Sequence, residues 1–159
     1  MQAVPEPPLP ADLPRVVRES LEALIAPFRP VFADHGLTEQ QWRVLRALRA
    51  GAGSQVELAA ACVMHPASLT GVLARMESAA LIERRRSAAD QRRVLVSIAP
   101  AGSELLARMA PEIAAGYEAL DESIGADRLA ALAAAATAVR DAAGAQLAAA
   151  SSRLTMPRA

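Results

Sequence analysis

The sequence predicts a mainly α-helical chain carrying one small β-hairpin, arranged as a winged helix-turn-helix. Three observations predict it. Apolar residues recur at helical spacing through most of the 159 residues. Near the middle, two short helices are separated by a tight break at His65-Pro66. Directly after them the period changes to alternation, in two short runs flanking a polar turn.

The chain opens on a Pro-rich arm, 1–12, which has neither the basic start nor the apolar run of a signal peptide. Leu13, Val16, Val17, Leu21, Leu24, Ile25 and Phe28 then mark a first helix starting near Pro14. Pro27 and Pro30 kink or end it, and Gly36 closes the region. Thr38-Glu39-Gln40-Gln41 reads as a capping box with Leu37 and Trp42 as its staple, and Trp42, Leu45 and Leu48 as the buried stripe that follows. Gly51 and Gly53 end that helix. Ser54-Gln55-Val56-Glu57 is a second capping box, opening a short helix through about Cys62. Pro66 begins the next helix, whose core stripe is Leu69, Val72, Leu73 and Met76, ending near Ala79–Ala80.

Leu81–Arg85 and Arg93–Ile98 are the two strands of the hairpin. Pro100 starts a long helix carrying Leu105, Leu106, Met109, Ile113, Tyr117, Leu120 and Ile124, which Pro111 is expected to kink. After Gly125 comes an Ala-rich helix, and a frayed tail is expected over 151–159. Its apolar core, Leu129–Val139, is too short and too weakly hydrophobic to span a bilayer, so the expectation is a soluble, cytoplasmic protein.

Formal net charge is zero, so any affinity for phosphate rests on clustering rather than on total charge. The cluster lies on the hairpin: Arg84, Arg85 and Arg86 on one side, Arg92 and Arg93 on the other, against only Glu83 and Asp90. Alone, such a run reads as a solvated face. Directly after a helix-turn-helix, it reads as a wing that lies along a phosphate backbone or sends a guanidinium into the minor groove. Asp90 either accepts a hydrogen bond from a turn N–H or holds an arginine in place. On the second helix of the motif, Ser68, Thr70 and Arg75 are placed to reach base edges or phosphates.

Catalysis finds little support. The two histidines, His35 and His65, and the single cysteine, Cys62, cannot assemble a Cys/His metal set, and no metal or cofactor is implied. There is no phosphate-cradling glycine loop and no nucleophile elbow. Cys62 reads as a small buried hydrophobe; the competing readings of the chain are an oxidation sensor acting through Cys62 and a winged-helix protein-interaction module.

These motifs together resemble the MarR family of bacterial transcriptional regulators, from about Arg15 to Ala143. They are Gly36-Leu37-Thr38, Ser68-Leu69-Thr70-Gly71, Leu81-Ile82-Glu83-Arg84 and Asp90-Gln91-Arg92-Arg93, in that order. The stretches Gly36–Trp42 and Ser68–Leu73 look like the branch regulating homoprotocatechuate and related aromatic catabolism. The resemblance implies a homodimer joined through helices at 13–36 and 100–150, with 37–99 as the DNA-binding lobe. It implies recognition helices in successive major grooves of a pseudo-palindromic operator, and wings at the flanking minor grooves. It also implies release by a small aromatic carboxylate bound between the dimerisation helices and the lobe. For that acid, Arg15, Arg18 and Arg43 are the candidate partners, Trp42 an aromatic wall and His65 a hydrogen-bonding group. Subunit salt bridges and core packing are the competing roles for these residues.

Overall fold

Proline punctuation divides the first helical stretch. In the computed structural model, which describes residues 12–88 and 90–154, α1 (Leu13–Ile25) carries Pro14 in its first turn. Pro27 lies in a 3-10 turn (Ala26–Phe28), and Pro30 opens α2 (Arg29–Asp34). Each proline stands where a missing N–H costs no helical bond. Gly36 at φ +67° then reverses the chain. The expected Pro-rich arm, except for Asp12, lies outside the described residues, as do 155–159 of the expected tail.

Both capping boxes form. Thr38 caps α3 (Glu39–Leu48): its side chain accepts from the Gln41 N–H, and its own N–H donates to Gln41 Oε1 at 2.8 Å. Ser54 and Glu57 repeat the pattern at α4 (Gln55–Ala61). Before it stands β1 (Gly53–Ser54), which the sequence reading did not anticipate because two residues carry no period. α5 (Pro66–Ser78) is bent by 107° from α4, the geometry of a helix-turn-helix. The turn between them passes through Val63 at φ 50°, a left-handed conformation unusual for a β-branched residue.

The hairpin is β2 (Ile82–Arg86) and β3 (Val94–Ile98), antiparallel, with Arg84 opposite Val96. β1 adds to the other edge of β3, Gly53 opposite Val96, giving the order β1-β3-β2. The wing is therefore a three-stranded sheet whose short strand leads straight into α4. Leu69, Val72, Leu73 and Met76 are buried as expected, packed in the lobe with Val44, Leu45, Leu48, Leu58, Ile82 and Val96. Val44 adds a core position outside the stripe read from the sequence.

α6 (Pro100–Ile124) stays one helix through Pro111, and α7 (Ala126–Leu154) follows Gly125 at φ +94°. Two α6 glycines make close approaches. A Cβ on Gly102 would stand 2.2 Å from the Leu81 carbonyl oxygen, and one on Gly116 would stand 2.6 Å from the Phe28 ring. The chain divides into two units, 1–116 and 117–159. In the first, α1 buries none of its residues: Leu13, Val16, Val17 and Leu21 are all exposed. In the second, Leu132 and Val139 of α7 are exposed too.

Candidate nucleic-acid interface

α5 starts at His65, whose Nδ1 accepts the Ala67 N–H at 3.3 Å, a helix cap rather than a free imidazole face. Burying Leu69, Val72, Leu73 and Met76 turns Ser68, Thr70, Ala74 and Arg75 outward. Ser68 and Arg75 have exposed side chains with no hydrogen bond or ion pair among the described residues. Thr70 differs. Its hydroxyl donates to the Pro66 carbonyl at 3.0 Å and accepts from Gln55 Nε2 at 2.6 Å. Gln55 was not read from the sequence as a site residue, because its position beside Thr70 depends on the angle between α4 and α5.

The wing's five arginines are not equivalent. Arg84 Nε lies 3.0 Å from Glu77 Oε2 of α5, although its N–H finds no well-directed acceptor. Arg85 pairs with Glu83 at 2.6 Å, and Arg86 donates to the Gln91 carbonyl across the hairpin at 3.0 Å. Arg93 pairs with Glu57, tying β3 to the first turn of α4. Hydrogen bonds from the Ser54 N–H and hydroxyl, then from Arg93, hold the Glu57 carboxyl below the usual carboxylate range. Arg92 alone of the five has a guanidinium without a partner among the described residues. Its backbone is placed by Asp90, whose Oδ1 accepts the Arg92 N–H at 2.9 Å. Of the two roles expected for Asp90, this is the turn contact.

The candidate effector residues are more scattered. Arg15 is exposed between Asp12, at 2.8 Å, and Glu19, at 2.7 Å. Arg18 is exposed and unpaired among the described residues. Arg43 pairs with Glu39 at 2.9 Å and donates to the Cys62 carbonyl at 3.2 Å, closing the C-terminal end of α4. Trp42 packs on Phe32, ring centroids 5.5 Å apart. Two clefts open on the first unit. One, about 610 Å³, is bordered by Glu77, Arg84 and Pro100; the other, about 370 Å³, by Leu48, Arg49, Ser103 and Leu106. Neither is lined by Arg15, Arg18, Trp42, Arg43 or His65.

Cys62 is buried, and loss of hydration pushes its thiol up, more than Arg43 draws it down. It sits in the environment of an inert structural cysteine, not that of a reactive thiolate. Among the described residues no group of His, Cys, Asp and Glu is placed to hold a metal, and no single helix is long and apolar enough to cross a membrane.

A family model described as MarR family matches residues 35–93, from the turn before α3 to the tip of the wing, just before β3. The HTH-type transcriptional regulator FarR of Neisseria gonorrhoeae is 34% identical over 113 residues, 70% of this chain and 77% of FarR. The homoprotocatechuate degradative operon repressor of Escherichia coli is likewise 34% identical over 113 residues, 70% of this chain and 76% of the repressor. Among solved structures, NadR in complex with 4-hydroxyphenylacetate is 30% identical with a TM-score of 0.73, over 86% of this chain and 97% of NadR.

Proposed function

The chain belongs to the MarR family, regulators of transcription rather than enzymes, and from that premise we propose that it is a homodimeric repressor released from its operator by a small aromatic carboxylate. The observation that carries the DNA reading is Arg92, whose guanidinium has no partner among the described residues, held at the wing by Asp90 beside an α5 that turns Ser68 and Arg75 outward. A guanidinium without an internal partner is available to a phosphate or a narrow minor groove. Arg84, Arg86 and Arg93 brace the wing as well as adding positive potential.

Dimerisation is supported by apolar surface. Leu13, Val16, Val17 and Leu21 recur at helical spacing on α1 and are left exposed among the described residues. A second copy related by a two-fold axis covers both such faces at once. We assign α1, α2, α6 and α7 to this association and 37–99 to DNA. Val17→Asp places a charge on that face. Light scattering on the eluting protein is expected to read a dimer for the wild type and a monomer or aggregate for the variant. An unchanged dimer removes α1 from the interface.

The effector reading rests on a similar repressor named for homoprotocatechuate degradation and on NadR, solved in complex with 4-hydroxyphenylacetate. Arg18 is the strongest carboxylate partner of the expected set, since Arg15 and Arg43 already hold carboxylates. Hydroxybenzoates, phenylacetates and pyridine carboxylates are to be titrated into the protein bound to duplexes that it selects from a random library. One class is expected to weaken binding about tenfold to a hundredfold, the coupling typical of such switches. Arg18→Ala is expected to keep DNA binding while losing most of the response. If no aromatic acid acts at millimolar concentration, the effector class is wrong, whereas failure to select any duplex defeats the regulator reading itself.

A further inference from the structure

A threonine hydroxyl has one proton to give, and in this structure its destination is fixed. Thr70 Oγ1 lies 3.0 Å from the Pro66 carbonyl and 2.6 Å from Gln55 Nε2. The carbonyl can only accept, so the hydroxyl donates there and must accept from Gln55. That in turn fixes the amide: its nitrogen faces Thr70, leaving one N–H and Oε1 without partners among the described residues. Gln55 is the first residue of α4, Thr70 lies in the second turn of α5, and the two helices cross at 107°. One short hydrogen bond therefore joins the leading end of the first helix to the outward face of the second.

We infer that Gln55 and Thr70 form one DNA-reading unit, in which Gln55 donates its remaining N–H to a backbone phosphate and Thr70 reads a thymine through its methyl group. This rests on the DNA-binding reading above. In a docked helix-turn-helix the first helix crosses the phosphate backbone, while the early turns of the second face base edges in the major groove. Gln55 stands on the former and Thr70 on the latter. With its proton committed to Pro66 and one lone pair to Gln55, Thr70 keeps a single lone pair and the Cγ2 methyl for a base. The methyl is the part that distinguishes thymine, whose C5-methyl is the apolar mark of the major groove. The Gln55 amide then holds the reading side chain in register with the phosphate it grips. A neutral amide is suited to that role because it positions without adding to the salt-dependent term.

The test uses the full chain and a duplex that it selects from a random library, with each thymine replaced in turn by deoxyuridine, which removes only the methyl. Wild type is expected to lose about three- to fivefold in affinity at one position per half-site, the value of one buried methyl. Thr70→Ser keeps both hydrogen bonds and lacks the methyl; it is expected to bind the thymine and deoxyuridine duplexes equally. Gln55→Ala is expected to bind more weakly by about tenfold or more, the worth of a hydrogen bond to a charged group, with the slope of affinity against salt unchanged. Thermal unfolding of each variant, expected within a few degrees of wild type, assigns the losses to contact with DNA. Indifference of the wild type to every deoxyuridine, or full sensitivity in Thr70→Ser, overturns the thymine reading. Unchanged affinity in Gln55→Ala overturns the phosphate contact. A wild type that selects no duplex overturns the DNA reading and this inference with it, whereas selective wild-type binding with both variants behaving as wild type overturns the pair alone.

Discussion

Gly102→Ala is expected to cost about 3 kcal/mol, the upper end for overpacking, and to lower the melting temperature by about 6–12 °C for a chain of this size. The cause is geometric. A Cβ at this position falls 2.2 Å from the Leu81 carbonyl oxygen and 3.0 Å from Ile98 Cγ1. The carbonyl is backbone and cannot rotate aside, and it already accepts the Ala99 N–H at 3.0 Å. That bond joins the residue before β2 to the residue after β3, so the start and the end of the wing meet where α6 begins. A methyl there must push the first turn of α6 away or break the bond. Gly144→Ala is the control. Its Cβ meets nothing within 4 Å in the interior of α7, and the change is expected to stabilise by about 0.5–1 kcal/mol through helix propensity. Paired thermal melts check both. Equal melting temperatures for wild type and Gly102→Ala remove the close approach as a determinant of the wing's attachment.

The features that were legible in the sequence are those written in short-range chemistry. Each capping box needs residues three apart, and both Thr38–Gln41 and Ser54–Glu57 form as read. The stripe Leu69, Val72, Leu73 and Met76 follows the helical period and is buried throughout. The strand limits moved by one residue, to Ile82–Arg86 and Val94–Ile98. Two-residue β1 was illegible, because pairing of Gly53 with Val96 is decided across more than forty positions.

The site was legible in outline only. Composition revealed the arginine cluster but not the pairing within it, since Glu57 and Glu77 reach Arg93 and Arg84 from other elements. A reading by local charge counted only Glu83 and Asp90 against the five arginines, whereas folding brings in two further carboxylates. The same reason hid Gln55, which is adjacent to Thr70 only after α4 and α5 cross. Arg43 shows the converse: a candidate partner for an effector carboxylate, with salt bridging as its competing role, it pairs with Glu39 one turn before it and donates to the Cys62 carbonyl.

Those pairings turn the wing into a sharp test of DNA binding. Arg92→Ala is expected to weaken binding to a selected duplex by about 1–3 kcal/mol for each of the two wings, the loss of a groove or phosphate contact. The slope of log affinity against log salt is expected to become shallower by about two, one released counterion for each of two wings in a dimer. Arg92 has this leverage because its guanidinium is unpaired among the described residues while its backbone is held at 2.9 Å by Asp90. Asp90→Ala leaves the charge and removes the placement, so its loss of affinity is expected to be smaller and its slope close to wild type. Arg85→Ala removes a guanidinium engaged with Glu83 at 2.6 Å, and is expected to fall well short of Arg92→Ala. Filter binding or fluorescence anisotropy at three salt concentrations separates the three variants. An Arg92→Ala protein with wild-type affinity and slope, or an Arg85→Ala protein weaker than it, places the DNA contact elsewhere than at the unpartnered arginine.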